Sequence, residues 1–484
     1  MTSERLNQWV RGLVLCGLLV AFVGALIHTL LKDEATKGFG RAKEGAAADP
    51  GVRILIANRL PPEPIATHDK ILVEALQPLE VVAPDAPVDR HETLKAGSLL
   101  RIDVAGQDGF LLSSQEWGAD KRWGVQSFFV VPKGAAPVRT DNDGNPVFVA
   151  PRTYEALDHR AVFRLVSAAD KPTKLWSYRG SLQVLWNSPK DMSLINHLPM
   201  EAYLEGVVAV EMSPSWPIEA LKAQAVASRG FAFTRSRMAV PAKKAWDLGD
   251  TREDQEYHGA GFSTTAIVRS VFETRGVIPT IHGSPFIPLF SAASGGQTSG
   301  IDDVFPGARD LGGREPLSTV MMAKPDPYCQ PAINALGLAG THGQLSADLR
   351  PKDVQRRLGE ALAASGRQIG YINAIRVGSR DPRSNRVLTV LVHHTLDQQP
   401  LVVPAAIFRN LVGPQLIKST LWAGDSPRRI DAGGGNVVWR IGSYGWGHGV
   451  GMSQVSAWEM ARQGLSARAI LGFFYQDVEL TTLW

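Results

Sequence analysis

Glu211 closes an apolar stripe. Leu204, Val207 and Val208 precede it at helical spacing, so in a helix its carboxyl shares their face. A carboxyl drawn out of water is held toward its protonated form, the state a general acid needs to protonate a leaving oxygen in glycoside cleavage. The same spacing also fits a structural glutamate paired with Arg229 or Lys222. Glu201 and Glu205 fall on the opposite face and read as solvated surface charges. A second segment, GWGHGVG from Gly445 to Gly451, alternates glycine with Trp446, His448 and Val450. In an extended chain this gives a bare face against which another backbone or a ligand can lie. There His448 is either a structural histidine or a polymer contact. A third, FSAASGGQTSG from Phe290, joins small hydroxyl residues to paired glycines, which fits a loop that approaches a ligand or an ordinary surface loop. Ser294 with His448 would make a hydrolase pair, although no nucleophile-elbow spacing accompanies them.

Other chemistries are excluded. No GxGxxG fingerprint occurs in the glycine segment. The two cysteines, Cys16 and Cys329, rule out a Cys-rich metal site and predict no internal disulfide. His393 and His394 are strand neighbours pointing opposite ways, so they do not chelate one ion together. With 51 basic and 47 acidic residues, a formal charge of +4 and no long basic run, nucleic acid is not an expected partner.

The elements that must position these residues follow from pattern. Pro199 opens a helix that carries Glu211, and Pro217 precedes a second one, with Ile218, Leu221 and Ala225 on one face. Strands return from Ile278 to Phe290, a helix is expected from Asp353 to Ala364, and Ser453 and Ser466 can cap two last helices, the first stopping at Gly464. Residues 51–190 are short β-branched runs divided by Pro, Gly, Asn and Asp, hence mostly strand. The fold class is α+β: short helices among antiparallel strands, preceded by a β-rich N-terminal region and one transmembrane helix. That helix is residues 13–31, uncharged and about 28 Å long as a helix. It follows a cytoplasmic 1–12 and precedes a charged, Gly- and Ala-rich linker, 32–50. The first small-residue cleavage site, Ala46 to Ala48, lies well downstream, so the helix reads as an uncleaved anchor, with a cleaved, exported form as the alternative.

Six segments taken in order carry a resemblance: INHLPMEAYLEGVVAVEMSPSWPIEALKAQAVASRGFAFTR, DQEYHG, TRGVI, FSAASGGQT, FRNLVGPQLIKST and GWGHGVGMSQVSAWEMARQGLSARAILGFFY. Together they resemble the SpoIID/LytB family of bacterial cell-wall proteins. The resemblance implies a domain over 191–484 lying outside the cytoplasmic membrane. It also implies lytic transglycosylase activity on peptidoglycan glycan strands stripped of stem peptides. The family's catalytic glutamate, the one before Met in VVxxEM, is Glu211 here. Substrate contacts are then expected from Gln224, Arg229, Tyr257, Ser291, Ser294, Gln297, Thr298, His448, Ser453 and Gln454. Relatives named as amidase enhancers imply the alternative, a non-catalytic glycan-binding stimulator of a cell-wall amidase. Some members bind zinc after the second helix, but WDLGDTREDQEYHG has no cysteine and only His258, so no metal or other cofactor is expected. Residues 325–368 match poorly and read as a possible insertion, and 51–190 has no counterpart.

Overall fold

A computed structural model describes residues 50–56, 70–83, 86, 90–134, 139–140, 146–147, 161–166, 174–239, 242, 244–305, 317–363, 365–424, 427–433 and 436–484. The apolar run 13–31, the linker and the DNDGNP turn lie outside them. Among the described residues no helix is long and apolar enough to cross a membrane. The chain forms a mixed α+β structure with many antiparallel strands and short helices.

Two compact units divide it: an N-proximal one with the described residues of 41–278 and 482–484, and a C-proximal one with those of 279–481. The boundary expected at 190/191 is not where they part. Gly51–Leu55 pairs with Asp191–Pro199 on one side and Leu248–Gly249 on the other, so the first strand of the β-rich region is sewn into the segment that carries the helices.

In the N-proximal unit a seven-stranded sheet runs from Leu248–Gly249 through Gly51–Leu55, Asp191–Pro199, Ser181–Ser188, Ser127–Pro132 and Leu79–Val82 to His91–Leu94. A six-stranded sheet runs from the edge strand Lys174–Tyr178 through Phe163–Val166, Lys70–Ala75, Leu99–Val104 and Phe110–Ser114 to Lys121–Trp123. Period-two patterning makes these strands: in Lys70–Ala75, Ile71, Val73 and Ala75 are buried and alternate with more exposed neighbours. The sheets share a core in which Phe110 meets Phe128 edge-on at 5.0 Å. Helix α1 (Met200–Glu211) begins after Pro199, whose backbone is extended, and α2 (Ile218–Ala239) follows Pro217. Helix α3 (Thr265–Glu273) is capped by Thr264, whose hydroxyl accepts from the Ile267 N–H.

The C-proximal unit packs a three-stranded antiparallel sheet, Ile372–Arg380, Val387–His394 and Asp397–Pro404, under helices Pro351–Ala363 and Ala405–Val412. Leu358, Val390, Phe408, Ile417 and Trp422 belong to its core. The expected insertion is part of this unit, since Gln344–Leu349 pairs along Val437–Tyr444. Helices Gln454–Arg462 and Ala467–Phe474 close it, and Ser466 caps the second by accepting from the Ala469 N–H.

Candidate functional site

Along α1, Met200 to Val208 are all buried, so the helix has no solvated face over that span. This corrects the reading of Glu201 and Glu205 as surface charges. A carboxylate in such a place requires a partner. Glu201 takes both forks of Arg229, at 3.0 Å from Nε and 2.6 Å from Nη2, with further bonds from the Gly276 N–H at 3.0 Å and the Trp484 indole at 3.1 Å. Glu205 takes Arg179 Nη1 at 2.5 Å.

Arg229 is therefore neither the partner of Glu211 nor placed to contact a substrate: it is wholly buried and committed to Glu201. Tyr257 is also in the core, its hydroxyl donating to Asn196 Oδ1 at 2.9 Å. Gln224, likewise buried, donates to Ser228 Oγ at 3.0 Å. All three expected contacts are corrected to supports of the helix pair.

Glu211 is different. It is the last residue of α1 and only half-buried, because the stripe of Leu204, Val207 and Val208 runs into the core and ends there. Its Oε1 accepts from the Glu256 N–H at 3.2 Å. The loop that presents this N–H is fixed on several sides. Tyr203 donates to Gln255 Oε1 at 3.2 Å, Arg235 clamps Asp254 at 2.6 Å, Asp254 Oδ2 accepts from the Gly249 N–H at 2.8 Å, and the Tyr257 N–H reaches the Asp250 carbonyl at 3.2 Å. Burial first, then the charges of Asp254, Tyr257 and Glu211, push the Tyr203 phenol well up, so it stays a neutral donor. The result is a fixed, partly accessible carboxyl suited to proton transfer.

In the C-proximal unit the glycine segment is not a strand. Gly445, Gly447, Gly449 and Gly451 have φ of 77°, 115°, 77° and 68°, a left-handed series that other residues adopt at a cost. Their bare side does lie against a close neighbour, as the alternation suggested, and that neighbour is the chain's own: backbone at Gly445 and Gly451, side chains at Gly447 and Gly449. A Cβ on Gly445 would meet the Ala293 carbonyl and the Gly295 N–H, one on Gly447 would meet Ser291, and one on Gly451 the Leu289 carbonyl. Under Gly449 lies the guanidinium of Arg386. The loop at 290–300 is thus the wall: Phe290–Ser291 pairs in parallel with Met452–Ser453, and Ala293 bridges to Trp446.

Buried polar groups tie these segments together. Asp326 accepts from Ser294 Oγ at 2.6 Å and Ser456 Oγ at 2.7 Å, and burial raises its acid above the ordinary range. Ser453 sits at the start of Gln454–Arg462, but its hydroxyl serves Ser456 at 2.7 Å and the Ser294 N–H at 3.3 Å in place of a cap. Thr298 donates to the Met322 carbonyl at 2.9 Å. Ser294, Thr298, Ser453 and Gln454 are all buried, which corrects them from ligand contacts to scaffold.

His448 keeps part of its surface exposed. Its Nδ1 accepts from the Val450 N–H at 3.0 Å, which puts the proton on Nε2, facing the Phe290 carbonyl. Burial, and after it Arg409 and Arg386, push the imidazole down to about 3, so it is neutral at ordinary pH. A Ser294–His448 hydrolase pair is excluded, since each hydroxyl and ring nitrogen is already engaged.

Two residues were missed from sequence. Arg386 is buried and binds the Ser294 and Gln297 carbonyls at 2.5 and 2.8 Å. Asp326 lay in the supposed insertion. Their only signal was position beside Pro-rich turns, in KPDPYC and DPRSNR. Around this wall Ser291 Oγ, Gln297 Oε1, Ser299 Oγ and Arg386 Nε are buried with no hydrogen-bond partner among the described residues. Water or a polar ligand has unmet bonds to fill there.

A family model described as stage II sporulation protein, SpoIID, matches residues 188–280, the stretch that holds Glu211 and its loop. An uncharacterized protein of Brachyspira hyodysenteriae is 30% identical over 304 residues, covering 63% of this chain and 72% of that protein. The amidase enhancer of Bacillus subtilis is 25% identical over 306 residues, 58% of this chain but only 40% of its own length. Stage II sporulation protein D of Bacillus subtilis is 25% identical over 300 residues, 59% of this chain and 76% of that protein.

Proposed function

Since the chain belongs to the SpoIID/LytB family, we propose that it acts on the bacterial cell wall as a lytic transglycosylase with Glu211 as its acid and then its base. The observation that carries this is the placement of Glu211. On a helix whose other glutamates, Glu201 and Glu205, are locked to arginines, it stands half-exposed at the end, its carboxyl oriented by the Glu256 N–H.

Protonated Glu211 gives its proton to the oxygen joining N-acetylmuramic acid to N-acetylglucosamine. The C1–O bond breaks as the acetamido oxygen of the muramic sugar attacks C1, so no second carboxylate is needed. Glu211, now ionised, takes the proton of the 6-hydroxyl, and that oxygen displaces the acetamido group to close a 1,6-anhydro ring. Anchored by residues 13–31, the chain from residue 32 onward would lie outside the cytoplasmic membrane. In the C-proximal unit, the partly exposed His448 and Gln297 beside the glycine segment offer glycan a second contact surface.

The test is the mass of products released from purified, peptide-free glycan. Anhydro ends support the proposal, and ends carrying an added water refute it. A second reading is favoured by the amidase enhancer relative: a glycan-binding module that stimulates an amidase without cleaving. It predicts no product from glycan alone and stimulation that survives Glu211→Gln.

A further inference from the structure

The loop that orients Glu211 continues into an aromatic shelf that no step above uses. His258 stacks flat on Trp176, centroids 4.3 Å apart and planes 7° from parallel, and Phe262 stands edge-on to His258 at 5.9 Å. Phe262 is 46% exposed, and Trp176 and His258 are only partly buried.

The shelf is built, not incidental. Gly259 has φ of 70° and packs against the Ser177 carbonyl, where any Cβ would collide. Next to it the Ala260 N–H donates to that same carbonyl at 2.7 Å, tying the loop to the edge strand Lys174–Tyr178. On its other side the loop runs back along α1. The Glu256 N–H meets Glu211, the Gly259 carbonyl lies where a Cβ on Gly206 would be, and Ser263 Oγ reaches Glu205 Oε2 at 3.4 Å. Glu211 lies five residue steps beyond Gly206 on the helix, a rise of about 7.5 Å. His258 and Phe262 are thus carried by the chain segment that holds the carboxyl, and Trp176 by the edge strand to which that segment is tied.

We propose that Trp176, His258 and Phe262 form a sugar-binding subsite of the N-proximal unit, holding the apolar face of a pyranose ring of the glycan strand whose scissile bond lies at Glu211. This rests on the reading of Glu211 given above. The chemistry selects the occupant. A pyranose presents a flat C–H face with hydroxyls around its rim, and the shelf presents partly exposed aromatic rings, of which Phe262 is the most exposed. Its continuity with the Glu211 loop favours the strand being cleaved over an unrelated ligand.

The experiment uses the full chain carrying Glu211→Gln, with affinity for peptide-free glycan oligomers measured by calorimetry for a single disaccharide and for strands several repeats long. Adding Phe262→Ala should weaken binding of the long strands about threefold, and adding Trp176→Ala about tenfold, with disaccharide binding unchanged. Phe262→Tyr, which keeps a ring, should restore the long-strand affinity, a result that loss of folding does not give. If both variants bind long strands as tightly as the parent, or weaken long and short equally, the subsite is refuted and the aromatics are packing only. Binding of a stem-peptide-bearing fragment that is lost in Phe262→Ala while bare glycan is unaffected also refutes it, pointing to a peptide occupant. Failure of the Glu211→Gln parent to bind any glycan overturns the reading of Glu211 itself, a separate outcome from loss of the shelf.

Discussion

The two units bury charge in opposite ways. Around α1, charge answers charge: Glu201 and Arg229 are both wholly buried and share two bonds, and Glu205 and Arg179 do the same with one. Under the glycine segment, charge answers dipoles. Among the described residues no carboxylate pairs with Arg386, which is held by two carbonyls, and Asp326 is held by two hydroxyls. A direct pair neutralises its field locally and leaves little for a ligand to do. A guanidinium held by two carbonyls and the Thr420 hydroxyl, with no counter-charge among the described residues, retains its field, and here it adjoins several unmet hydrogen-bonding groups. The first arrangement stiffens a helix that ends on one half-exposed carboxyl, whereas the second shapes a backbone wall with unmet hydrogen bonds.

The largest effect that tests this contrast lies within α1, where three glutamates should fail differently. Glu211→Gln should lower glycan cleavage by about 10²–10⁴-fold with the unfolding midpoint unchanged. Glu201→Gln leaves Arg229 buried without its counter-charge and should cost about 3–5 kcal/mol of stability, read by denaturant titration. A double Glu201→Leu, Arg229→Met variant should recover most of that. Equal stability losses in Glu211→Gln and Glu201→Gln would mean that Glu211 is a structural acid like its neighbours.

A smaller effect examines the wall. Gly449→Ala must take a left-handed backbone and press on Arg386, and it should lose about 1–3 kcal/mol. Gly464→Ala is the control, because its φ of 87° carries the same backbone penalty with nothing near the added Cβ. The difference between the two isolates the contact with the guanidinium. If they lose equally, Arg386 is not packed against the segment in solution.

The same contrast explains what was legible in the sequence. Helices α1 and α2 were readable from apolar spacing and from Pro199 and Pro217, but the stripe that was to draw Glu211 out of water ends in the core and leaves it half-buried. Glu201 and Glu205 were misread because periodicity tells which residues share a face, not what covers the other one. Their arginines sit 28 and 26 residues away in sequence, brought in by a sheet and a second helix. The four glycines signalled a close approach correctly, but alternation fits an extended strand and a left-handed series equally well until φ is known. Asp326 and Arg386 carried no periodic signal, since each acts through carbonyls or hydroxyls of distant segments.

The smallest effect compares one histidine from each unit. His197 is 3% exposed and is pushed down to about 3 by burial and then by Arg53. His448 reaches about 3 through burial, Arg409 and Arg386. With an ordinary value of about 6.5 in the unfolded chain, each binds a proton there between about 6.5 and 3 but stays neutral when folded. Acid therefore favours the unfolded form: stability falls as pH drops from about 6.5 toward 3, by at most about 1.4 kcal/mol per pH unit for the buried His197 and by less for the partly exposed His448, and neither contributes a slope above that range. Denaturant titrations at pH 7 and pH 5 should show His197→Gln losing less stability on acidification than the parent. His448→Gln should flatten the slope less, because part of that ring remains in contact with water. The reverse order would place the drier environment under the glycine segment, and the contrast between a sealed helix pair and an open-handed wall would have to be redrawn.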